Sequence, residues 1–447
     1  MNNTTSYIQL HLSNHFSVSI IDQEDFMSTI GIVCEYNPFH KGHEYQIEQA
    51  KAVTNADHVV CFMSGDFLQR GVPALADKYT RAEIALRCGV DVVFEIPFVY
   101  ATSSARDYAF AAVTMMNLLQ DIDYIAFGAE TEDLQLLSDI ADITVNEPSD
   151  VSDEIQRLSA SGISYGLARA SAVSAYLAKN TVDRDSRKSR GYTEEDISTV
   201  MSSPNNILAI EYLAAMSATN SKLKPILIKR ISSAYDSLST EYDICSASAI
   251  RELLRNGSLS SLERHVPEPC YHMLKERYQH VFPIFEDSLS YLLNASRLFL
   301  HARGDISDMD VDLANRLNKL DINLTFTETS AMLKCRNYTL THIQRGLLHT
   351  ITQLHVSDMD HFKQDGWIVY INILGLKKES SSILGAMKRK CEVPLITKNS
   401  EMNRQSSPAA QAMFRYDVKA YDIYRNIIYQ TYKANIPGYY KRSIILI

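Results

Sequence analysis

An α/β fold is predicted: a Rossmann-like parallel sheet in the first part of the chain, joined to a mainly helical second part. Three observations predict it. Apolar strands and amphipathic helices alternate from Thr29 to about Lys229. Helical spacing dominates beyond residue 245. The 447 residues call for two or three domains with ample core. The boundaries read as an extension over 1–28, a sheet domain over 29–250 and a helical domain over 251–447.

Residues 1–26 are rich in Asn, Ser and His and carry no basic leader, so this extension is expected to be irregular or disordered. Met27 stands directly before the first strand and is an alternative start. Strands are predicted over 30–34, 58–63, 91–98, 124–128 and 225–229. Helices are predicted over 42–53, 77–88, 103–119 and 132–143. The segment 145–222 reads as mostly helical, interrupted by a charged stretch at 183–190. That stretch is an exposed loop, with a nucleic-acid contact as the alternative. Helices follow over 249–255, 261–278, 287–302, 310–320, 326–335 and 341–349, then a strand over 367–374 and a helix over 380–390. Ligands of such a parallel sheet bind beyond the strands' carboxyl ends, where strand order reverses.

Composition narrows the classes. Hydrophobic residues make up 46% and charged residues 22%, as in an ordinary globular protein. No uninterrupted apolar run is long enough to span a bilayer, so no membrane partner is expected. The seven cysteines form no CxxC pair, which favours reduced thiols and a cytoplasmic protein. Net charge is −9, but unevenly spread. Residues 240–447 hold 26 Lys and Arg against 22 Asp and Glu, leaving the first 239 residues near −13. A basic excess in one half suits a polyanion-binding domain; two ordinary domains with unequal surfaces fit the charge equally well.

The strongest chemical signal is Glu35-Tyr36-Asn37-Pro38-Phe39-His40-Lys41-Gly42-His43, closing the first strand and opening the first helix. Two imidazoles spaced H-x-G-H can flank the phosphates of a nucleotide, and Gly42 admits a close backbone approach. The helix start should offer unpaired N–H groups and its positive dipole end to an anion. No third ligand for a zinc ion stands beside the pair.

Three further clusters belong to the argument. Ser64-Gly65-Asp66-Phe67-Leu68-Gln69-Arg70-Gly71, followed by Asp77, Lys78 and Arg81, reads as a site rim, or as a loop with Asp77 capping a helix. Phe127-Gly128-Ala129-Glu130 ends the fourth strand, where Gly128 can let a nucleotide lie against backbone. Ser203-Pro204-Asn205-Asn206 starts a helix whose asparagines can cap it or reach a base. Arg230 ends the strand 225–229, and Ser246-Ala247-Ser248-Ala249-Ile250-Arg251 opens a helix fit for an anion.

In this order, these pieces resemble the bacterial tRNA(Met) cytidine acetate ligase family over roughly Thr29 to the C-terminus. The resemblance implies an ATP-dependent ligase. It forms acetyl-adenylate from acetate and ATP and transfers the acetyl group to the wobble cytidine of elongator tRNA(Met), giving N4-acetylcytidine. It also implies an HxGH nucleotidyltransferase-like domain over 29–250 and a tRNA-binding domain over 251–447. The alternative is a nucleotidylyltransferase moving AMP or CMP onto a small phosphorylated acceptor. Carried over, the ATP site comprises Val33, Cys34, Glu35, Tyr36, Asn37, Pro38, Phe39, His40, Lys41, Gly42, His43, Glu44, Tyr45 and Gln46, with Gly128, Asn205 and Arg230. His40 and His43 are the catalytic pair. Asn206 competes with Asn205 for its place, because 183–196 reads as an insertion. ATP is a substrate, brought with Mg²⁺ by its phosphate charge; no dedicated metal ligand is read from the sequence. Lys41, Val72, Tyr79 and Ser248 depart from the family's usual Asn, Glu, Trp and Thr. Lys334, Arg336, Arg345, Lys388, Arg389 and Lys390 are the expected tRNA-facing cations.

Overall fold

A computed structural model describes residues 27–181, 192–230, 245–255, 259–277, 284–300, 304–404 and 407–447. The expectations for the extension before Met27 and for the charged stretch 183–190 lie outside these residues. The alternation holds in the order β1 (Thr29–Cys34), α1 (Lys41–Thr54), β2 (His58–Ser64), α2 (Lys78–Arg87), β3 (Val92–Ile96), α3 (Phe98–Ala101), α4 (Ala105–Leu119), β4 (Tyr124–Ala129), α5 (Leu134–Asn146), α6 (Ser149–Ala160), α7 (Tyr165–Thr181), α8 (Glu194–Ser202), α9 (Pro204–Ala218) and β5 (Lys224–Lys229). The helix α10 (Ala247–Arg255) follows.

Strands β1 to β5 pair in parallel in the order β5-β4-β1-β2-β3. The chain runs outward through β2 and β3, then returns to place β4 on the other flank of β1. The switch point therefore lies between β1 and β4. The central strands are buried on both faces, which is why they read as continuous apolar runs. The sheet does not stop with the first half of the chain. Strand β6 (Ile371–Leu376) pairs antiparallel with β3, and β7 (Leu395–Ile396) and β8 (Ile445–Leu446) extend β6. The α/β class stands, with helices of the second half packed around a sheet to which that half also contributes.

Differences from the sequence reading have local causes. The third strand ends at Ile96, because Pro97 caps the short helix α3. The single helix expected over 261–278 is two pieces, a 3-10 turn at Leu259–Arg264 and a helix at Glu268–Glu276, split at Pro267. The strand expected over 367–374 starts at Ile371, after Trp367 turns the chain at φ 71°. A 25-residue helix, Pro408–Tyr432, has no counterpart in the sequence reading. Ser407 caps it and Pro408 occupies its first turn. Its buried face is built from tyrosines as well as aliphatics, which blurs the apolar period.

Candidate active site

The Glu35–His40 loop is fixed from three sides. From α2, the Arg81 guanidinium is buried and donates to the carbonyls of Glu35 at 2.7 Å and Ser64 at 3.1 Å, and to that of Gly65. From the loop after β2, Gln69 N–H donates to Glu35 Oε1 at 3.0 Å and Leu75 N–H to Asn37 Oδ1 at 2.7 Å. From beyond residue 245, Arg251 donates to the Asn37 carbonyl at 2.8 Å, Cys270 to the Phe39 carbonyl at 3.3 Å, and Lys41 N–H to the His265 carbonyl at 3.1 Å. Tyr36 holds φ 45°, a conformation rare for a bulky residue, with its ring buried.

His40 and His43 form a capping box at the start of α1. His40 Nδ1 accepts from Gly42 N–H at 3.1 Å, and His43 Nδ1 accepts from His40 N–H at 3.2 Å. The rings stack with centroids 3.8 Å apart. An Nδ1 that accepts from backbone leaves the neutral ring's proton on Nε2. Both rings are held neutral. Burial, then Arg230 and Arg251, pull the His40 imidazole down to about 3. Burial, then His40 and Arg230, pull His43 well below its ordinary value.

This corrects one expectation. The first N–H groups of α1 are not free for an anion. His40 N–H is bound by His43, Lys41 N–H by His265, Gly42 N–H by His40, and His43 and Glu44 N–H by the His40 carbonyl. The box and the His265 carbonyl occupy them, and among the described residues the two ring Nε2 atoms have no hydrogen-bond partner.

A narrow cavity opens at the switch point. It is lined by His40, Gly42, His43, Tyr45 and Gln46 from the motif, Gly128 and Arg230 from the ends of β4 and β5, and Ser246 from the start of α10. A Cβ at Gly128 would stand 3.2 Å from Arg230 Cγ, so the glycine keeps this wall open. Ile228, Lys229 and Cys245 also line it; the sequence reading missed them, because an apolar strand residue, a single lysine at a strand end and a lone cysteine carry no signal. Val33, Cys34, Glu35, Tyr36, Asn37, Pro38 and Phe39 form the strand end and loop beside the cavity, and Lys41 and Glu44 belong to the first turn of α1. Ser246 Oγ caps α10 at Ala249 N–H, 3.1 Å away, and Arg251 donates to Ser248 Oγ at 2.9 Å.

Asn205 does not line the cavity. Its Nδ2 donates to Glu130 Oε1 at 2.6 Å, just beyond the end of β4. Asn206 is buried and spent on framework. Its Oδ1 accepts from Glu130 and Thr131 N–H at 2.8 and 3.2 Å, and its Nδ2 donates to the Val200 carbonyl at 3.1 Å.

Most of the rim expected after β2 is interior, with Arg70 exposed and Gln69 half-buried. Lys78 Nζ pairs with Glu95 at 2.5 Å, donates to Tyr439 OH at 3.1 Å and lies 3.8 Å from Asp66. Burial pulls its ammonium down, but Glu95 and Asp66 more than offset this and hold it raised. Asp77 caps α2. Gly71, at φ 75°, rests against the backbone of the helix Leu340–Thr352, where a Cβ would come within 2.6 Å of Arg345 N. Arg345 is 8% exposed and bound to Asp308 at 3.0 Å, so it cannot face RNA as expected. Lys334, Arg336, Lys388, Arg389 and Lys390 are exposed, the last paired with Asp121.

Residues 27–437 match the HIGH Nucleotidyl Transferase family. Over 89% of the chain, it is 35% identical to the tRNA(Met) cytidine acetate ligase of Caldanaerobacter subterraneus subsp. tengcongensis, covering 95% of that protein. The corresponding protein of Halothermothrix orenii is 32% identical over 89% of the chain and 94% of its own length. Among solved structures, apo Thermotoga maritima TmcAL superposes with a TM-score of 0.85 at 27% identity, covering 94% of this chain and all of that one. A form of the same protein bound with alpha-thio ATP superposes at 0.82 and 26% identity, with the same coverage.

Proposed function

The chain belongs to the tRNA(Met) cytidine acetate ligase family of HIGH nucleotidyl transferases, and from that premise we propose that the β1–β4 cavity binds ATP and adenylates acetate. A carboxylate oxygen of acetate attacks the α-phosphorus, the α–β bridging bond breaks, and pyrophosphate leaves. The N4 amine of the wobble cytidine in elongator tRNA(Met) then attacks the acetyl carbon, giving N4-acetylcytidine and AMP. The enzyme is an ATP-dependent ligase. Family membership selects this reaction over transfer of AMP or CMP to a small phosphorylated acceptor.

The observation that carries the site assignment is the convergence of both motif histidines, Gly128, Arg230 and Ser246 on one cavity at the switch point. In this reading the Nε2–H groups of His40 and His43 donate to phosphate oxygens as negative charge builds there. The backbone bonds to both Nδ1 atoms fix the rings beforehand, so little reorganisation is needed. Arg230, whose charge reaches both rings, adds a cation to the cavity lining. Mg²⁺ would arrive with the triphosphate; among the described residues no three His, Cys, Asp or Glu converge to hold an ion alone. Residues 29–250 carry the adenylation chemistry and 251–447 receive tRNA, through the exposed Lys334, Arg336, Lys388 and Arg389. The enzyme works on the cytoplasmic tRNA pool; among the described residues no helix is long and apolar enough to cross a membrane.

The test is direct. The protein is incubated with ATP, Mg²⁺, labelled acetate and elongator tRNA(Met), and the nucleosides of the tRNA are analysed. Labelled N4-acetylcytidine with stoichiometric AMP is expected. Label entering tRNA only from acetyl-coenzyme A, or not at all, would refute the proposal.

A further inference from the structure

The helix Glu286–Arg297 carries apolar residues on two opposite faces. Leu289 and Leu293 are buried, on the side where the helices Phe326–Leu333 and Leu340–Thr352 pack. The outer face carries Ile284, Tyr291, Ala295 and Leu298, all exposed. The backbone is still helical at Phe285 and Leu298, so these residues follow one line along the helix. A solvent face of this kind ordinarily carries charge. Here Asp287 is the one exposed charge among the described residues of the stripe, which holds no exposed Lys or Arg. Ile284, Tyr291, Leu298, the adjoining Phe299 and the neighbouring Ile322 are 65–81% exposed.

The stripe is anchored from beneath. Ile284 N–H donates to Thr431 Oγ1 at 3.2 Å, on the long helix Pro408–Tyr432. Asn294 Nδ2 donates to the Ile322 carbonyl at 2.7 Å, and Arg297 to the carbonyls of Leu317 and Leu320 at 2.8 and 2.9 Å. A face fixed in advance loses little freedom when it is covered.

We infer that this stripe is the contact face of a homodimer, in which the helix Glu286–Arg297 packs antiparallel on its counterpart about a two-fold axis at Tyr291. Spacing selects a second copy of this chain. Ile284 and Leu298 each stand seven residues, two helical turns, from Tyr291. An antiparallel two-fold pairing therefore sets Tyr291 against itself and Ile284 against the second copy's Leu298, as an isologous contact requires. Area agrees. Aromatic side chains carry about 150–250 Å² each, so the five exposed side chains present on the order of 600 Å². That is most of the roughly 800 Å² that each partner buries in a standard interface, and the top of the range a monomer leaves in one patch. RNA is a poor occupant, because phosphate recognition needs the cations this face lacks. None of these residues lines the ATP cavity, so the dimer is independent of the ATP-site reading.

Sedimentation equilibrium of the full chain, without RNA and at micromolar concentration, should give twice the chain mass of 50.5 kDa. Tyr291→Glu sets two carboxylates against each other on the axis. It should weaken the dimer about 30-fold or more, with melting temperature and acetate-dependent ATP–pyrophosphate exchange close to the parent's. Orientation is read by thiol cross-linking with a short bismaleimide. Tyr291→Cys should link to its own counterpart. Ile284→Cys should link in a mixture with Leu298→Cys and not to itself. A parent that sediments as a monomer overturns the inference, as does a dimer that Tyr291→Glu leaves intact. Self-linking of Ile284→Cys would overturn the antiparallel pairing. A monomer in which Tyr291→Glu weakens tRNA binding instead would give this face to RNA.

Discussion

The carboxyl ends of β1 and β4 and those of β2 and β3 carry the same kinds of residue and use them in opposite ways. At β1 and at β5, the neighbour of β4, His40, His43 and Arg230 line a cavity, with ring Nε2–H groups left for a ligand. At β2 and β3, Asp66, Lys78, Arg81 and Glu95 are all within 3% of full burial and bond to each other, to backbone, or to Tyr439 and Asn372 from the second half of the chain. The first set is poised for charge that arrives; the second neutralises charge already inside. Charged residues at strand ends therefore do not mark a site by themselves. What separates site from framework is whether their charges already face partners inside the fold.

The sharpest way to break the contrast is at Lys78. Lys78→Met leaves Glu95 and Asp66 buried without their cation and should cost about 3–5 kcal/mol of stability. Denaturant unfolding measures it, while the folded fraction keeps its exchange activity. A stable but inactive variant would move Lys78 into the chemistry. On the other side, His40→Asn retains an acceptor for the Gly42 N–H but loses Nε2–H. That variant and His43→Ala should each lose at least about 10²-fold in adenylation rate with melting temperature within a few degrees. Large destabilisation without a rate defect would make the pair framework too.

A smaller effect is expected on the RNA side. Replacing Lys334, Arg336, Lys388 and Arg389 together by Ala should weaken tRNA binding and flatten its salt slope, by roughly one for each phosphate left without its cation. Exchange without tRNA should be unaffected. An unaltered slope would place the RNA surface elsewhere.

The smallest effect is in pH dependence, where the two regions have opposite signs. His40 is depressed to about 3, so on acidification the unfolded chain takes its proton first, near 6.5. Stability from this group is present above pH 6.5 and falls away toward pH 3. Burial, only partly countered by Lys78, raises Asp66 to about 6, and burial with Glu95 raises Asp417 to about 7. These carboxyls take protons first in the folded state, so they favour folding as pH falls from 7 to 4. In melting curves between pH 8 and 4, His40→Asn should flatten the acid loss, and Asp417→Asn should gain stability over the parent mainly above pH 7. The same trend in both variants would contradict the assignment.

The five parallel strands and the HxGH corner were legible in the sequence because a strand buried on both faces and a helix start with two spaced histidines are local signals. Arg251 and Ser246 were legible for the same reason. The antiparallel extension was not. Strand β6 lies 275 residues beyond β3 in the chain, and nothing local in Ile371–Leu376 specifies that pairing. The burial of Lys78 and Arg81 was equally hidden, since their partners Glu95, Tyr439 and the strand-end carbonyls come from other elements. The capping box was hard to read because a histidine is an uncommon cap, although its spacing, His40 to His43, is the ordinary one.

The central claim is that this cavity joins acetate to the adenylyl group of ATP before any RNA is involved. Acetate-dependent exchange of labelled pyrophosphate into ATP, in the absence of tRNA, tests it most directly. Label should enter ATP only when acetate is present and should be lost in His43→Ala. Exchange that ignores acetate, or that appears only with tRNA, would contradict it.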